Sequence, residues 1–358
     1  MISPYNKLNI DIFGGSHEPQ IGMTLDGIPA GTPVDTEKLK EFLSRRKSDK
    51  YAFSTPRREN DEVVFTEGIV DGKVTGKIKA VINNENIRSS DYDFSNTPRP
   101  SHADYVSVVK YGKAFPGGGP FSGRMTAPLC IAGGIAKQIL LSYGIEVLAY
   151  ISNIGEIDCY TYDNGIPNAE EIVKCHDYDF PTPNTKIQEK IKAMLEKTAK
   201  YGESVGGSIE CIVLNAPSGL GGPQNEGLEG RMALSVFGIP AVKSFESGAG
   251  KEIGRMYGIV ANDPFIIKDN KVMTLTNNAG GINGGISNGM PITVRATFRP
   301  TPSISEEQYT VDLKEMKETT IKISGRHDVA FLPRAVAAVE SAISLVILDA
   351  MLESNLIK

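Results

Sequence analysis

A chain of 358 residues, 40% of them apolar and 23% charged, can bury a sizeable core and has an ordinary soluble composition. Its formal charge of −5, from 38 basic against 43 acidic residues, argues against general nucleic-acid binding but leaves room for a local basic pocket. No apolar run approaches the ~20 residues of a membrane span, and the opening MISPYNKLNIDIFGGSHE lacks the charged-then-apolar order of a signal peptide.

In chain order, Asp35 reads as the N-cap of a helix over 36–44 that runs directly into Arg45, Arg46 and Lys47. Segments 63–70 and 73–82 flank Asp71-Gly72, a pair suited to φ > 0, and so predict a hairpin. Residues 126–143 form an Ala/Gly-rich helix, apolar around most of its circumference, with Pro128 in its first turn and Gly144 as its C-terminal stop. Such a helix is buried against other helices at close range. Segment 160–185, rich in Asp, Asn and Pro, reads as a surface excursion. Ile187, Ile191, Met194, Leu195 and Thr198 mark one face of an amphipathic helix that ends at Gly202. Segments 208–214, 291–299 and 319–323 read as strands, the second with Ile292, Val294, Ala296 and Phe298 on a buried face. Residues 228–237 form a shorter helix, and 335–352 a long apolar one introduced by Pro333. Hairpins beside long helices, without regular strand–helix alternation, predict an α+β layered fold in a single domain over 1–358.

Glycines meet ionisable residues in several loops. Gly14 and Gly15 precede Ser16 and His17, and the imidazole is suited to proton transfer near neutral pH. A plain glycine turn with a partly exposed histidine is the alternative. No Gly-x-Ser-x-Gly elbow supports reading Ser16 as a hydrolase nucleophile. His102 and Asp104 lead through Gly117, Gly118, Gly119, Ser122 and Arg124 into the buried helix. A glycine loop before a helix N-terminus suits an anion, although the spacing fits neither a P-loop nor a dinucleotide fingerprint. A flexible surface loop explains it equally well. Gly325, Arg326, His327, Asp328 and Arg334 crowd together just ahead of the last helix, either as a site or as surface salt bridges. Arg45, Arg46, Arg57 and Arg58 offer forks suited to phosphate and carboxylate, or a solvated helix end. The NNAGGINGGIS run exposes backbone amides suited to a planar cofactor, or makes a structural turn. Cys130, Cys159, Cys175 and Cys211 show no CxxC pair, which suggests neither disulfides nor a metal site and fits a reduced, cytoplasmic setting. Cys130 and Cys211 read as core, Cys175 and His176 as surface or structural.

The order and wording of these segments resemble the chorismate synthase family over nearly the whole chain. FGGSHEPQIGMTLDGIPAG, LSRR, STPRRE, RPSHADY, KYG, GGG, GIPAVKSFE, NNAGGINGGISNG, RPTPSIS and GRHDVAFLPRAVAAVESAISLVILDAML occur in the family's order. The resemblance implies a β-α-β sandwich assembled as a homotetramer. It implies a small-molecule substrate, 5-enolpyruvylshikimate 3-phosphate, and reduced FMN as cofactor. The reaction would be the 1,4-elimination of phosphate and a ring hydrogen, giving chorismate with no net redox change, in the shikimate pathway to aromatic amino acids. His17 is then the general acid at the departing phosphate, His102 the group beside the reduced flavin's charge, and Asp328 the manager of the proton at the flavin's reactive nitrogen. Arg46, Arg124 and Arg334 hold the substrate's anionic groups. Ser122, Ala241, Gly284, Arg299, Pro300, Thr301, Pro302, Ser303 and Arg326 fall where the family contacts FMN. No NADP-type nicotinamide fingerprint is present, so an external flavin reductant is expected.

The chain also departs from the family's wording. Gly15 stands where a Glu is usual, Ala52 for an Arg, Pro120-Phe121 for Arg-Ser, Met125 for a Glu, Pro240 for an Asn, and Val329-Ala330 for Pro-Cys. The lost charges raise a second expectation, a diverged paralogue that binds flavin or another anionic metabolite without turnover.

Overall fold

The computed structural model describes residues 3–48, 51, 53–54, 60–85, 94–159, 168–323 and 328–357. β1 (Asn9–Gly14) and β2 (Gln20–Asp26) form a hairpin, α1 (Thr36–Ser44) follows, and β3 (Val64–Val70) and β4 (Lys73–Asn83) form a second hairpin. Next come α2 (Asp104–Tyr111), α3 (Thr126–Ser142), β5 (Glu146–Ile154), β6 (Ile157–Asp158), α4 (Ala169–Cys175) and α5 (Gln188–Lys200). They are followed by β7 (Gly207–Leu214), α6 (Leu228–Phe237), β8 (Val242–Ser247), α7 (Gly258–Ala261), β9 (Phe265–Lys268) and β10 (Lys271–Thr274). β11 (Ile282–Asn283), β12 (Ile286–Ser287), β13 (Ile292–Phe298), β14 (Gln308–Asp312), β15 (Lys317–Ile321) and α8 (Leu332–Glu353) complete the order.

The first four strands pair antiparallel in the order β1-β2-β4-β3, and a five-stranded sheet runs β6-β5-β7-β13-β8, also antiparallel. Between them lie α3 and α8, packed on each other, with α3 against β2 and β4 and α8 against β5 and β7. This is the expected α+β architecture, a β-α-β sandwich.

Local chemistry explains most boundaries. Asp35 caps α1, its Oδ1 accepting from the N–H groups of Glu37 and Lys38 at 3.0 Å each. Asp71 (φ +48) and Gly72 (φ +70) make the tight turn between β3 and β4. α3 ends as a Schellman motif at Gly144 (φ +76): Gly144 N–H donates to Leu141 O and Ile145 N–H to Leu140 O, at 2.9 and 3.0 Å. Close approach of α3 to α8 depends on Gly133, where a Cβ would lie 2.1 Å from the Cβ of Ser341.

Two expectations are corrected. α8 is 22 residues long and apolar enough by length and composition to cross a membrane, contrary to the absence of such a run, but it is buried inside the sandwich. Segment 160–185 is not simply a surface excursion. Residues 160–167 lie outside the described ones, but α4 buries Ile172 and Cys175 against Leu148, Tyr150 and Ile212 on the outer face of the five-stranded sheet. Apolar anchors outweigh the polar composition there. The four cysteines are unpaired and buried, Cys130 and Cys211 in the core as expected.

α8 carries a fully buried Glu340. Arg45, the C-cap of α1, grips it with both Nη atoms at 2.9 Å, Lys137 of α3 approaches to 2.5 Å, and Ala149 N–H of β5 donates at 2.9 Å. His176, just after α4, lies 3.4 Å away and contacts Ala149 O at 2.8 Å through the same Nε2. Burial alone would raise the Glu340 carboxyl, but the charges of Arg45 and Lys137 outweigh it and hold it well below the usual range. Burial, followed by the charge of Arg45, lowers His176 from 6.5 to about 4.

Glu340→Gln leaves Arg45 and Lys137 as uncompensated buried charges and is expected to cost about 3–5 kcal/mol in urea unfolding at neutral pH. Because the folded pKa of His176 lies below the unfolded one, its contribution is complete above pH 6.5 and lost as pH falls toward about 4. His176→Gln should flatten the fall in urea midpoint across that window, and an unchanged slope would refute the assignment. Glu340, also depressed, adds stability that is lost only at lower pH.

Candidate active site

The β1–β2 hairpin closes at Gly14 (φ +91), where a Cβ would lie 2.4 Å from Gln20 O, and its loop carries His17. Ser16 is fully buried beneath that loop. Its hydroxyl donates to Gly117 O at 3.1 Å and contacts His17 Nδ1 at 3.1 Å, while its N–H donates to Gly119 O at 3.3 Å. The imidazole rests on Gly117 (φ +59), where a Cβ would lie 1.9 Å from His17 Cε1. The glycine run is therefore a seat for His17, and two of its carbonyls are engaged by Ser16. The glycine loop is thus packed against the His17 loop, and Ser16 orients the histidine.

His102 is presented by a turn that Arg99 and Asp104 clamp from below. Arg99 Nε and Nη2 donate to the two Asp104 oxygens at 2.7 and 2.8 Å, both residues being buried. His102 N–H donates to Arg99 O at 3.2 Å, and its Nε2 lies 2.9 Å from Ser303 Oγ. The second motif thus meets the Arg299–Ser303 region, which sequence order alone does not show.

Arg46 and Arg124 come together on a residue absent from the sequence reading, Asp61. One Asp61 oxygen accepts from Arg124 Nη1, the other from Arg46 Nη1 at 3.2 Å. Arg46 Nη2 also donates to Thr126 Oγ1 at 2.9 Å, and Arg124 Nε to Asn84 Oδ1 at 3.1 Å. Asn84, likewise missed, donates through Nδ2 to Gly15 O and Glu18 O at 3.1 and 2.7 Å. It thereby ties the His17 loop to Arg124. Burial, and then the charges of Arg124 and Arg334, push the Arg46 guanidinium down, with Cys130 and Asp61 opposing. Among the described residues, the buried Nε atoms of Arg46 and Arg334 have no hydrogen-bond partner. Asp61 stands between Glu59 and Glu62 ahead of a strand, so nothing in the sequence singles it out, and nothing in the order of residues marks Asn84.

Arg334, in the first turn of α8, donates to Asp328 Oδ2 at 2.5 Å. The neighbouring Val329 is tied on both sides, its N–H donating to Phe53 O and its carbonyl accepting from Val205 N–H, at 3.1 and 2.9 Å. Ser204 in turn donates to Thr301 O at 2.6 Å, linking this segment to the one that holds Ser303. Ala241 adopts φ +75, and its carbonyl accepts from Arg299 N–H at 3.1 Å. Burial lowers the Arg299 guanidinium. Ser122 caps the turn into α3, accepting from Arg124 N–H at 3.3 Å. Pro300 and Pro302 stiffen the turn between Arg299 and Ser303. Gly284 is tied elsewhere, through Gly285, to Gly222 and Gly227 ahead of α6. Arg326, His327, Arg57 and Arg58 lie outside the described residues.

A cleft of about 230 Å³ is lined by Ile12, Gly14, Pro120, Met125, Thr126, Leu129, Gly238 and Pro240. Pro120, Met125 and Pro240 are positions where the chain departs from the family's wording, so those departures gather on one apolar wall.

A family model described as chorismate synthase matches residues 8–352. The chorismate synthase of Thermococcus kodakarensis is 42% identical over 349 residues, covering 96% of each chain. That of Dehalococcoides mccartyi is 41% identical over 353 residues, covering 97% of this chain and 96% of its own. A crystal structure of chorismate synthase is similar with a TM-score of 0.77 at 25% identity, over 98% of this chain and 93% of that one. With sequence and fold both alike across nearly its whole length, the chain belongs to the chorismate synthase family.

Proposed function

We propose that this chain catalyses the 1,4-elimination of phosphate from 5-enolpyruvylshikimate 3-phosphate to give chorismate, as a carbon–oxygen lyase of the shikimate pathway. The observation that carries the reading is the group formed by Arg46, Arg124 and Arg334, with the Nε atoms of Arg46 and Arg334 buried and unpartnered among the described residues, beside a histidine seated on glycine. A substrate with about four negative charges is what such a basic pocket within an acidic protein would select.

The residues fit reduced FMN on their chemistry. Thr301 Oγ1 is buried without a partner among the described residues, and Ser122, Ser303 and Arg299 add further polar groups. Ser122, Ala241, Arg299, Thr301 and Ser303 would hold the cofactor, with Gly284, Pro300, Pro302 and Arg326 as further contacts. When bound, reduced FMN supplies transient electron density to the substrate ring.

The protein's own residues bind, orient and move protons. Arg46, Arg124 and Arg334 fix the carboxylates and phosphate. Because the Ser16 proton is committed to Gly117 O, His17 Nδ1 is the donor in its contact with Ser16 Oγ, and it is as the imidazolium, protonated on both nitrogens, that His17 gives its Nε2 proton to the departing phosphate. Asp328, oriented by Arg334, would manage the proton at the cofactor's reactive nitrogen. His102, held by Ser303, stabilises charge at the cofactor. The two sheets share one helical layer, which supports a single domain. Tyr257, Ile259, Phe265 and Ile267 are 72–88% exposed, and these apolar side chains support assembly into a homotetramer. The flavin reductant is external, and the setting cytoplasmic.

Anaerobic incubation with photoreduced FMN and substrate is expected to yield chorismate, followed by its absorbance. No product from folded protein at any flavin concentration would leave the non-catalytic paralogue. His17→Ala and Asp328→Ala should each lower kcat by about 10²–10⁴-fold. Gly117→Ala places a methyl into the His17 ring at a left-handed position, so turnover should drop by about a hundredfold while circular dichroism stays native. Gel filtration should give about four times the 38.6 kDa chain mass, and a single-chain mass would contradict the assembly.

A further inference from the structure

The proposed roles leave Asp61 unused, although its side chain is only 6% exposed and touches both Arg46 and Arg124. Its backbone is left-handed (φ +50), a conformation that Asp and Asn adopt more readily than other L residues. Without a counter-ion, Arg46, Arg124 and Arg334 would confront one another in a buried pocket, since the charges of the last two already act on the first. Asp61 offsets that repulsion. Yet it does so through Arg46 Nη1 and Arg124 Nη1, donors that an anionic ligand in this pocket also needs. A carboxylate and a phosphate cannot both sit between the same two forks without strong repulsion.

We propose that Asp61 is an internal counter-ion of the anion pocket, holding Arg46 and Arg124 in the resting protein and displaced by the ligand's anionic group. This rests on the pocket being the substrate's anion site, as read above. A ligand with several anionic groups compensates for the lost contacts through Arg334 and the unpartnered Arg46 Nε, whereas a single small anion does not. Asp61 therefore sets a threshold. It admits a multiply charged ligand, rejects lone anions, and returns to its arginines to expel the phosphate released in turnover.

The test is calorimetric titration of the full chain with inorganic phosphate at neutral pH, comparing wild type, Asp61→Asn and Arg124→Gln. Asn is nearly isosteric with Asp and tolerates the left-handed backbone, so the fold is expected to survive. Asp61→Gly, which suits the same conformation, gives the same comparison if the Asn variant unfolds. Removing the competing charge should tighten phosphate binding by about tenfold or more, while Arg124→Gln weakens it. Folded Asp61 variants that bind phosphate no tighter than wild type, or more weakly, would overturn the inference while leaving the pocket reading intact. An absence of binding in wild type and both Asp61 variants would overturn the pocket reading and the inference together.

Discussion

One buried carboxylate organises the molecule. Glu340 sits at zero exposure in the middle of α8, where an unpaired charge would be prohibitively costly. Its oxygens are satisfied by groups from α1, α3 and β5, and the residue after α4 closes in from the outer side of the sheet. A buried ion pair of this kind is weak evidence of net stability, because apolar replacements often do as well. Here it has a positional consequence. Arg45, which grips Glu340, is followed directly by Arg46, so fixing one guanidinium in the core fixes where the chain delivers the next. Lys137 registers α3 against α8, and the start of α3 supplies Thr126 to Arg46 just after Arg124. Arg334 lies on the same helix as Glu340. The three arginines are therefore carried by elements that meet at a single core contact.

Close backbone approach complements that electrostatic registration. Gly133 lets α3 and α8 meet with Ser341 in the contact, and Gly134 leaves space for Leu39 and Phe42 of α1. At the site the same absence of a side chain serves a different end, since Gly117 gives the His17 ring a surface to rest on. A second buried carboxylate on α8, Asp349, collects the N–H groups of Asn6, Lys7 and Leu8 at 2.6–2.8 Å and pairs with Arg231. It secures the chain entering β1, at whose far end the His17 loop begins. The helical layer thus grips β1 near its start, while the glycine seat fixes the loop at its end.

Elements governed by local signals were legible in the sequence. Asp35, Asp71-Gly72, Gly144 and Pro333 placed α1, the β3–β4 turn, the end of α3 and the start of α8 to within a few residues. β5 was not legible, because EVLAYISNI is buried on almost every residue and shows no alternation for a period-two reading. β1 and β2 were hidden by the attention that glycine draws to the loop between them. α4 was hidden in a polar segment whose apolar anchors are few. At the site, the ionisable residue types could be read from the family's wording, and the structure brings His17, Arg46, Arg124 and Arg334 into linked surroundings. The groups that connect them, Asp61 and Asn84, make long-range side-chain contacts that leave no periodic or motif trace.

The departures from the family's wording acquire meaning from where they fall. Pro120, Met125 and Pro240 line one side of a single cleft with Ile12 and Leu129, so replacements scattered in sequence are coherent in space. A wall of that kind exchanges charge-assisted contacts for apolar area, which contributes roughly 25 cal/mol per Å² and no directionality. Orientation of anything bound against it must then come from polar groups outside that apolar lining. Pro120 follows directly on the glycine run that seats His17, and Met125, Thr126 and Leu129 belong to the start of α3, so the altered wall shares its supports with the loops that carry His17 and Arg124.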